Sequence, residues 1–179
     1  MESEAIRVRP VPGAVPNLAD YERARREFSW ESAREALDGL PGGRGLNIAY
    51  EAVDRHVAAG RGERAALRCV AVDRRVSTVT YDELARWTNR FANVLRSLGA
   101  GRGDRVASLL SRCPELYVSV LGTLKNTSVF CPLFPAFGPV PVEERLRLGG
   151  VRVLVTTEDL YRRKVADRRE HLPQLEHRY

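Results

Sequence analysis

The stretch Asp104–Phe134 leaves a chain few ways to fold. Val106–Leu110 is a short, mainly apolar run, the length of a strand buried on both faces. Pro114 then stands where the first turn of a helix tolerates a missing N–H, and Leu116, Tyr117, Val120, Leu121 and Leu124 follow at helical spacing. These residues predict a helix that buries one face. Val129–Phe134 resumes an apolar run, which Pro132 and Pro135 interrupt. Two strands joined by a helix are expected to lie parallel, because a crossover of this length returns the chain to the same end of the sheet.

The flanking segments extend the layer. Thr80 and Glu83 have capping-box spacing ahead of Leu84, Trp87, Phe91, Val94, Leu95 and Leu98, with Gly99 placed to end the helix. Upstream, Ala65–Val72 and Val76–Thr80 flank Asp73-Arg74-Arg75 and predict a hairpin. Asn47 opens a further helix through Ile48, Ala49, Ala52, Val53 and Val57, and Asp20 caps one expected over residues 21–37. Three prolines make residues 1–17 an extended lead-in, and the glycines from Gly39 to Gly45 mark a loop. Downstream come a loop at Pro135–Pro141, a helix over 142–148, a strand over Val151–Val155 and a helix opened by Thr156-Thr157-Glu158. The alternation predicts an α/β fold: a mostly parallel sheet with flanking helices, plus a small β-hairpin. The expected division is an extension over 1–46, holding one peripheral helix, and a domain over 47–179.

The length suits one ordinary domain. A formal charge of +6 permits a nucleic-acid partner, but the arginines are interspersed with Glu and Asp rather than gathered in a stripe with aromatics. Neither nucleic acid nor membrane is expected as a partner. The N-terminus lacks a secretory layout and no apolar run is of spanning length, so a cytoplasmic location is expected. Cys69, Cys113 and Cys131 are too widely spaced for a metal site and fit reduced thiols beside the core. His56, His171 and His177 likewise lack ligand spacing.

Other candidate chemistry has a plainer explanation. Gly99-Ala100-Gly101-Arg102-Gly103 follows a helix and enters a strand, the reverse of a phosphate-cradling loop, and reads as a helix stop and turn. Glu143-Glu144 fits a solvated helix face, with Arg145 anchoring that helix. Tyr161-Arg162-Arg163-Lys164 is the densest positive site. It follows a strand on the sheet's carboxyl side, where α/β folds tend to bind ligands, although a solvated helix face explains it too.

Several segments in order resemble the N-terminal part of AMP-forming acetyl-CoA synthetases and related short-chain acyl-CoA synthetases of the adenylate-forming superfamily. They are Asn47–His56, Thr80–Leu84, Asn89–Leu95, Gly103–Val106, Pro114–Tyr117, Pro132–Phe134, Arg145-Leu146 and Val153–Thr156, and His171-Leu172-Pro173 resembles the family's continuation. The resemblance implies a partial N-terminal domain of that fold. It also implies an activity that joins a carboxylic acid to CoA through an acyl-adenylate, with ATP, Mg²⁺ and CoA as ligands. The family's triphosphate loop ending in Pro-Lys-Gly, its adenine and ribose motif and its C-terminal catalytic lysine have no counterpart here, so no catalytic and no metal residue is assigned. Pro135, Ala136 and Phe137 match the place of a Gly-Gly-Phe-like turn near CoA, with Pro135 and Ala136 replacing the glycines. Arg162 falls near an arginine that meets the CoA nucleotide phosphate. Asn126-Thr127-Ser128 departs from a Gly-Ala pair, so Thr127 removes an easy positive-φ exit. The expected role is a truncated or split ligase segment whose partner is the rest of the enzyme. The alternative is a non-catalytic module that binds CoA or another anion, or docks on a partner through its unfinished sheet.

Overall fold

The expected strand–helix–strand unit is present. In a computed structural model that describes residue 13 and residues 18–179, β3 (Arg105–Leu109) and β4 (Val129–Leu133) flank helix α5 (Pro114–Lys125) and pair in parallel, Arg105 opposite Val129 and Leu109 opposite Leu133. The lead-in expected over residues 1–17 lies outside the described residues except at Gly13.

The chain divides into two compact units, residues 1–37 and 38–179. In the first, the helix expected over 21–37 is two: α1 (Tyr21–Glu27), capped by Asp20, and α2 (Trp30–Glu35). Phe28 is extended, and the Ser29 hydroxyl accepts from the Ser32 amide at 3.1 Å while the Ser29 amide donates to Ser32 Oγ at 3.4 Å. A reciprocal serine cap thus restarts the helix where apolar spacing alone reads straight through.

In the second unit, the Asp38 and Gly39 amides donate to the Glu51 carboxylate at 3.2 and 2.7 Å. Asn47 caps the next helical run, accepting from the Ala49 and Tyr50 amides, and its side-chain amide donates to the Leu124 carbonyl. That run contains a π-helical turn at Tyr50–Asp54 before α3 (Arg55–Ala58); Ala49 and Val53 are buried, whereas Ile48 stands exposed. Strands β1 (Ala65–Val70) and β2 (Val76–Thr80) form the antiparallel hairpin. The capping box of α4 (Tyr81–Ser97) is complete: Thr80 Oγ1 accepts from the Glu83 amide at 3.2 Å and the Glu83 carboxylate accepts from the Thr80 amide at 2.9 Å.

Helix α5 corrects the sequence reading in one respect. Its fully buried residues are the small ones, Ser119, Gly122 and Thr123, while Leu116, Val120, Leu121 and Leu124 are half-buried and Tyr117 is exposed. Two helices approach most closely where side chains are smallest, so the tight α4–α5 seam follows Gly122. Lys125 ends this seam with its Nζ donating to Asp54 at 2.7 Å and Asn89 at 2.8 Å, its side chain only 10% exposed. Lys125→Met strands the half-buried Asp54 carboxylate and is expected to cost about 1–2 kcal/mol in denaturant unfolding, with m unchanged.

After α6 (Pro139–Leu148), which starts earlier than expected because proline suits the first helical turn, come β5 (Val153–Thr156), α7 (Glu158–Lys164), a 3₁₀ segment at Ala166–His171 and a short strand β6 (His177–Arg178). The parallel sheet is ordered β4-β3-β5-β6. Alternation along the central strands fills both faces. Val106, Val153 and Val155 join Phe91 and Leu95 of α4, whereas Ala107, Leu109 and Leu154 join Val142 and Leu146 of α6 with Val165.

The Asn126–Ser128 turn has a positive-φ exit although the residue there is threonine: Thr127 has φ 59°. Asn126 Nδ2 donates to the Ala100 carbonyl at 2.8 Å and to Ser128 Oγ at 3.0 Å, and Ser128 Oγ donates to the Gly101 carbonyl at 2.7 Å. These two buried polar side chains over-determine the strained residue between them. Thr127→Gly is expected to stabilise the fold by about 1 kcal/mol, the relief of strain exceeding the added chain entropy. Thermal unfolding reads this directly, and a lowered Tm would exclude strain at this turn.

Candidate functional site

At the carboxyl ends of β5 and β6 the chain opens into a cleft of about 470 Å³ lined by Thr156, Thr157, Glu158, Tyr161, Arg162, Arg178 and Tyr179. Each element places its residue for a local reason. Thr157 caps α7, its hydroxyl accepting from the Leu160 amide, and Thr156 at the end of β5 donates to the Leu109 carbonyl at 2.9 Å. Parallel pairing of β6 on β5 brings Arg178 to the cleft, where its guanidinium lies 4.5 Å from the centroid of Tyr161. Arg162 projects from α7, 74% exposed, and pairs with Glu158 one turn earlier at 2.5 Å. A second hollow of about 300 Å³ adjoins it, lined by Arg162, Arg163, Lys164, Arg168 and His171 with Pro139, Val165 and Asp167. Arg162 is common to both.

The Pro135–Phe137 turn reaches this region from the end of β4. Phe137 is half-buried against the α6 side of the core, its amide donates to the Phe134 carbonyl at 3.0 Å, and its ring meets Phe134 edge-on at 5.8 Å. Arg145 of α6 covers the same ring at 4.3 Å, and Lys164 Nζ donates to the Phe137 carbonyl at 2.6 Å. The structure therefore joins Phe137 to the helix that carries Arg162. Pro135 is half-buried and Ala136 exposed, and neither they nor Phe137 line the two hollows.

Glu143 differs from the solvated role expected of it. Its side chain is only 15% exposed, and it accepts from Arg168 Nη1 at 2.7 Å and lies 3.1 Å from His171 Nδ1, pinning the 3₁₀ segment to α6. The Arg168 hydrogen bond holds its carboxyl below the usual carboxylate range. Burial pushes the Cys113 and Cys131 thiols up, away from nucleophilic use. Among the described residues no group of three or more His, Cys, Asp or Glu is placed to hold a metal, and no helix is long and apolar enough to cross a membrane.

Of the site residues singled out in the sequence only Arg162 lines the cleft, and Thr156, Tyr161, Arg178 and Tyr179 were not anticipated there. The available signal was weak, since β6 is a two-residue polar strand with no apolar run to announce it.

Comparison with known proteins decides the family, because the profile described as AMP-binding enzyme matches residues 54–178. The chain belongs to the AMP-binding enzyme family. It is 38% identical over 157 residues to the acetyl-coenzyme A synthetase of Bacillus subtilis, covering 87% of this chain and 27% of that protein. The crystal structure of Brucella canis acyl-CoA synthetase superimposes with a TM-score of 0.73 at 34% identity, covering 82% of this chain and 26% of that one. Acetoacetyl-CoA synthetase from Streptomyces lividans gives 0.67 at 31%, covering 74% and 22%. The chain has an α/β fold and is similar to acetyl-CoA and acyl-CoA synthetases, and it spans about a quarter of the length of these relatives.

Proposed function

We propose that this AMP-binding family chain is the N-terminal segment of an acid–CoA ligase that forms an acyl-adenylate and then a thioester, and that it supplies one wall of the CoA-side cleft. The observation that carries the reading is the cleft at the carboxyl edge of a parallel sheet, with Arg162 and Arg178 as donors, in a chain similar to acetyl-coenzyme A synthetase. Guanidinium groups with Thr156, Thr157 and two tyrosines fit a nucleotide bearing phosphates. CoA would supply the thiol that accepts the acyl group; these residues would hold and orient its nucleotide end. For ATP with Mg²⁺ the fit fails among the described residues: Glu158 is engaged by Arg162, and no carboxylate cluster is available. No adenylation step is derived from this chain. Transition-state charge needs preorganised donors, whose single removal in other enzymes costs about a hundredfold or more.

The pure protein is therefore expected to show no acetate-dependent ATP–pyrophosphate exchange above background, and acid-dependent exchange would overturn that statement. The remaining ligase polypeptide is the partner this reading requires. A second reading, a stand-alone CoA- or anion-binding module, is favoured by the high exposure of Arg162 over two hollows. Calorimetric titration with CoA tests it: binding in the micromolar range, lost in Arg162→Ala, supports the module, and no heat from the wild-type chain excludes it.

A further inference from the structure

We propose that the amino edge of the parallel sheet carries a second site, a hollow that takes a small hydroxylated phosphomonoester. The hollow has a volume of about 520 Å³, and its walls include Arg44, Asp54, Asn89, Arg96, Lys125 and Thr127. Thr127 fixes its place in the fold. Its carbonyl accepts from the Gly103 amide ahead of β3, and it stands two residues before β4, so the hollow lies at the opposite end of the strands from the Arg162 cleft. The two share no residue, and the site stands independently of the CoA-side reading.

The balance of charge on the walls is positive. Asp54 is the one carboxylate among the lining residues, and Lys125 Nζ pairs with it at 2.7 Å. Arg44 and Arg96 are left over. Arg44 Nε donates to the Pro41 carbonyl at 3.0 Å and Arg96 Nη1 to Asn93 Oδ1 at 3.4 Å, and among the described residues neither meets a carboxylate. Each therefore keeps most of a planar fork of donors, the geometry that fits a phosphate. Lys125 and Asn89 add to these donors. An ammonium has three N–H groups, and Lys125 gives one to Asp54 and one to Asn89 Oδ1, which leaves a third although its side chain is only 10% exposed. Because Lys125 can only donate, Asn89 must turn its oxygen to it, and the amide NH2 of Asn89 has no acceptor among the described residues. Lys125 engages only Oδ1 of Asp54, so Oδ2 is left to accept from a hydroxyl. Arginines for a phosphate beside Asp54 and Asn89 for hydroxyls make the class of ligand.

Thr127 supplies an independent observation. Its φ of 59° is one that glycine adopts without strain, and the hydrogen bonds of Asn126 and Ser128 hold it there. Threonine forfeits stability at this turn and sets a hydroxyl-bearing residue on the wall of the hollow, the exchange expected where a position serves a ligand. The π-helical turn at Tyr50–Asp54 opens on the same hollow through both of its end residues, and such turns are frequent at functional sites.

Amide NMR titration of the full chain with glycerol 3-phosphate, inorganic phosphate and glycerol, at constant ionic strength, tests the proposal. Glycerol 3-phosphate is expected to shift the Tyr50, Asn93 and Thr127 amides saturably, with a Kd in the range of about 1 mM, and to bind several-fold more tightly than inorganic phosphate. Arg44→Gln and Arg96→Gln, both at exposed positions, are each expected to weaken binding about tenfold. Thr127→Gly is expected to raise Tm and yet weaken binding about threefold, a pair of opposite signs that a merely structural residue would not give. Arg162→Ala should leave these shifts unchanged, which keeps this site distinct from the cleft. No saturable shift at the three amides up to about 50 mM, or shifts that survive in the Arg44→Gln, Arg96→Gln double variant, would overturn the site. Glycerol binding as tightly as its phosphate would overturn the anionic ligand, and inorganic phosphate binding as tightly would overturn the ester.

Discussion

Valine at position 122 is expected to cost about 3 kcal/mol, the largest loss of any single change considered for this fold. A Cβ on Gly122 would lie 2.7 Å from Phe91 Cδ1 and 2.9 Å from the carbonyl oxygen of Thr88. The ring can turn, but the carbonyl belongs to the backbone of α4 and moves only with the helix. That helix is also held by Leu84 and Leu95, which feed two core clusters, and by the complete capping box at Thr80. Separating α4 from α5 would open the seam at Ser119 and Thr123 as well. Alanine is the informative control. It meets the same two contacts, yet gains about 1 kcal/mol of helix propensity over glycine, so its net cost should be smaller, near 1 kcal/mol. Chemical denaturation of both variants gives the two values. If valine lay within about 0.5 kcal/mol of the wild type, the close approach of the helices would be refuted.

Gly122 also shows why the sequence disclosed the layers but not the seam. Strand and helix identities follow from short-range pattern: Val106–Leu109 is apolar but for Ser108 and becomes a central buried strand, and Thr80 and Glu83 are three apart and close a cap. Which face of α5 is buried depends on what crosses it. The large apolar residues of that helix suggested one face, while the crossing helix selected the small ones. The same limit governs the cleft. Arg162 was legible because a dense positive run follows a strand, whereas Arg178 reaches the site only through parallel pairing of a polar dipeptide on β5. The broken helix at Phe28 was legible in principle, since Ser29 and Ser32 have cap spacing, but the apolar stripe running across them outweighed it.

Arg152→Met is expected to lower Tm by about 5–10 °C at neutral pH and by little in acid. Arg152 stands at the amino end of the sheet, 24% exposed, and draws three segments together. Its Nη1 donates to Asp104 Oδ2 at 2.8 Å and to the Gly99 carbonyl at 3.2 Å; its Nε and Nη2 donate to the two oxygens of Glu176 at 3.0 and 2.5 Å. Asp104 in turn accepts from the Gly101 amide, closing the loop that leads into β3, and Glu176 precedes β6. Removing the guanidinium leaves two carboxylates facing each other across the gap it filled. Both have lowered pKa values in the folded protein, Asp104 first through the Gly101 amide and then through Arg152, Glu176 first through its hydrogen bonds from Arg152. Depressed folded values mean that the stabilisation is complete above the unfolded carboxylate pKa, near 4, and is lost as pH falls through the lower folded values. The methionine variant forfeits all of Arg152's share at neutral pH, but Asp104 keeps the part due to Gly101, so its own acid limb should be shallower than the wild type's without vanishing. The two Tm curves should accordingly converge only as pH falls below the depressed folded values, where neither carboxylate is charged. Because Glu176 is nearly half exposed, added salt should narrow its share of the gap while leaving that of the less exposed Asp104. A Tm difference that stays constant from neutral to acid pH would assign Arg152 a packing role through its stem and remove the charge network from the account of how β3, β5 and β6 are held in register.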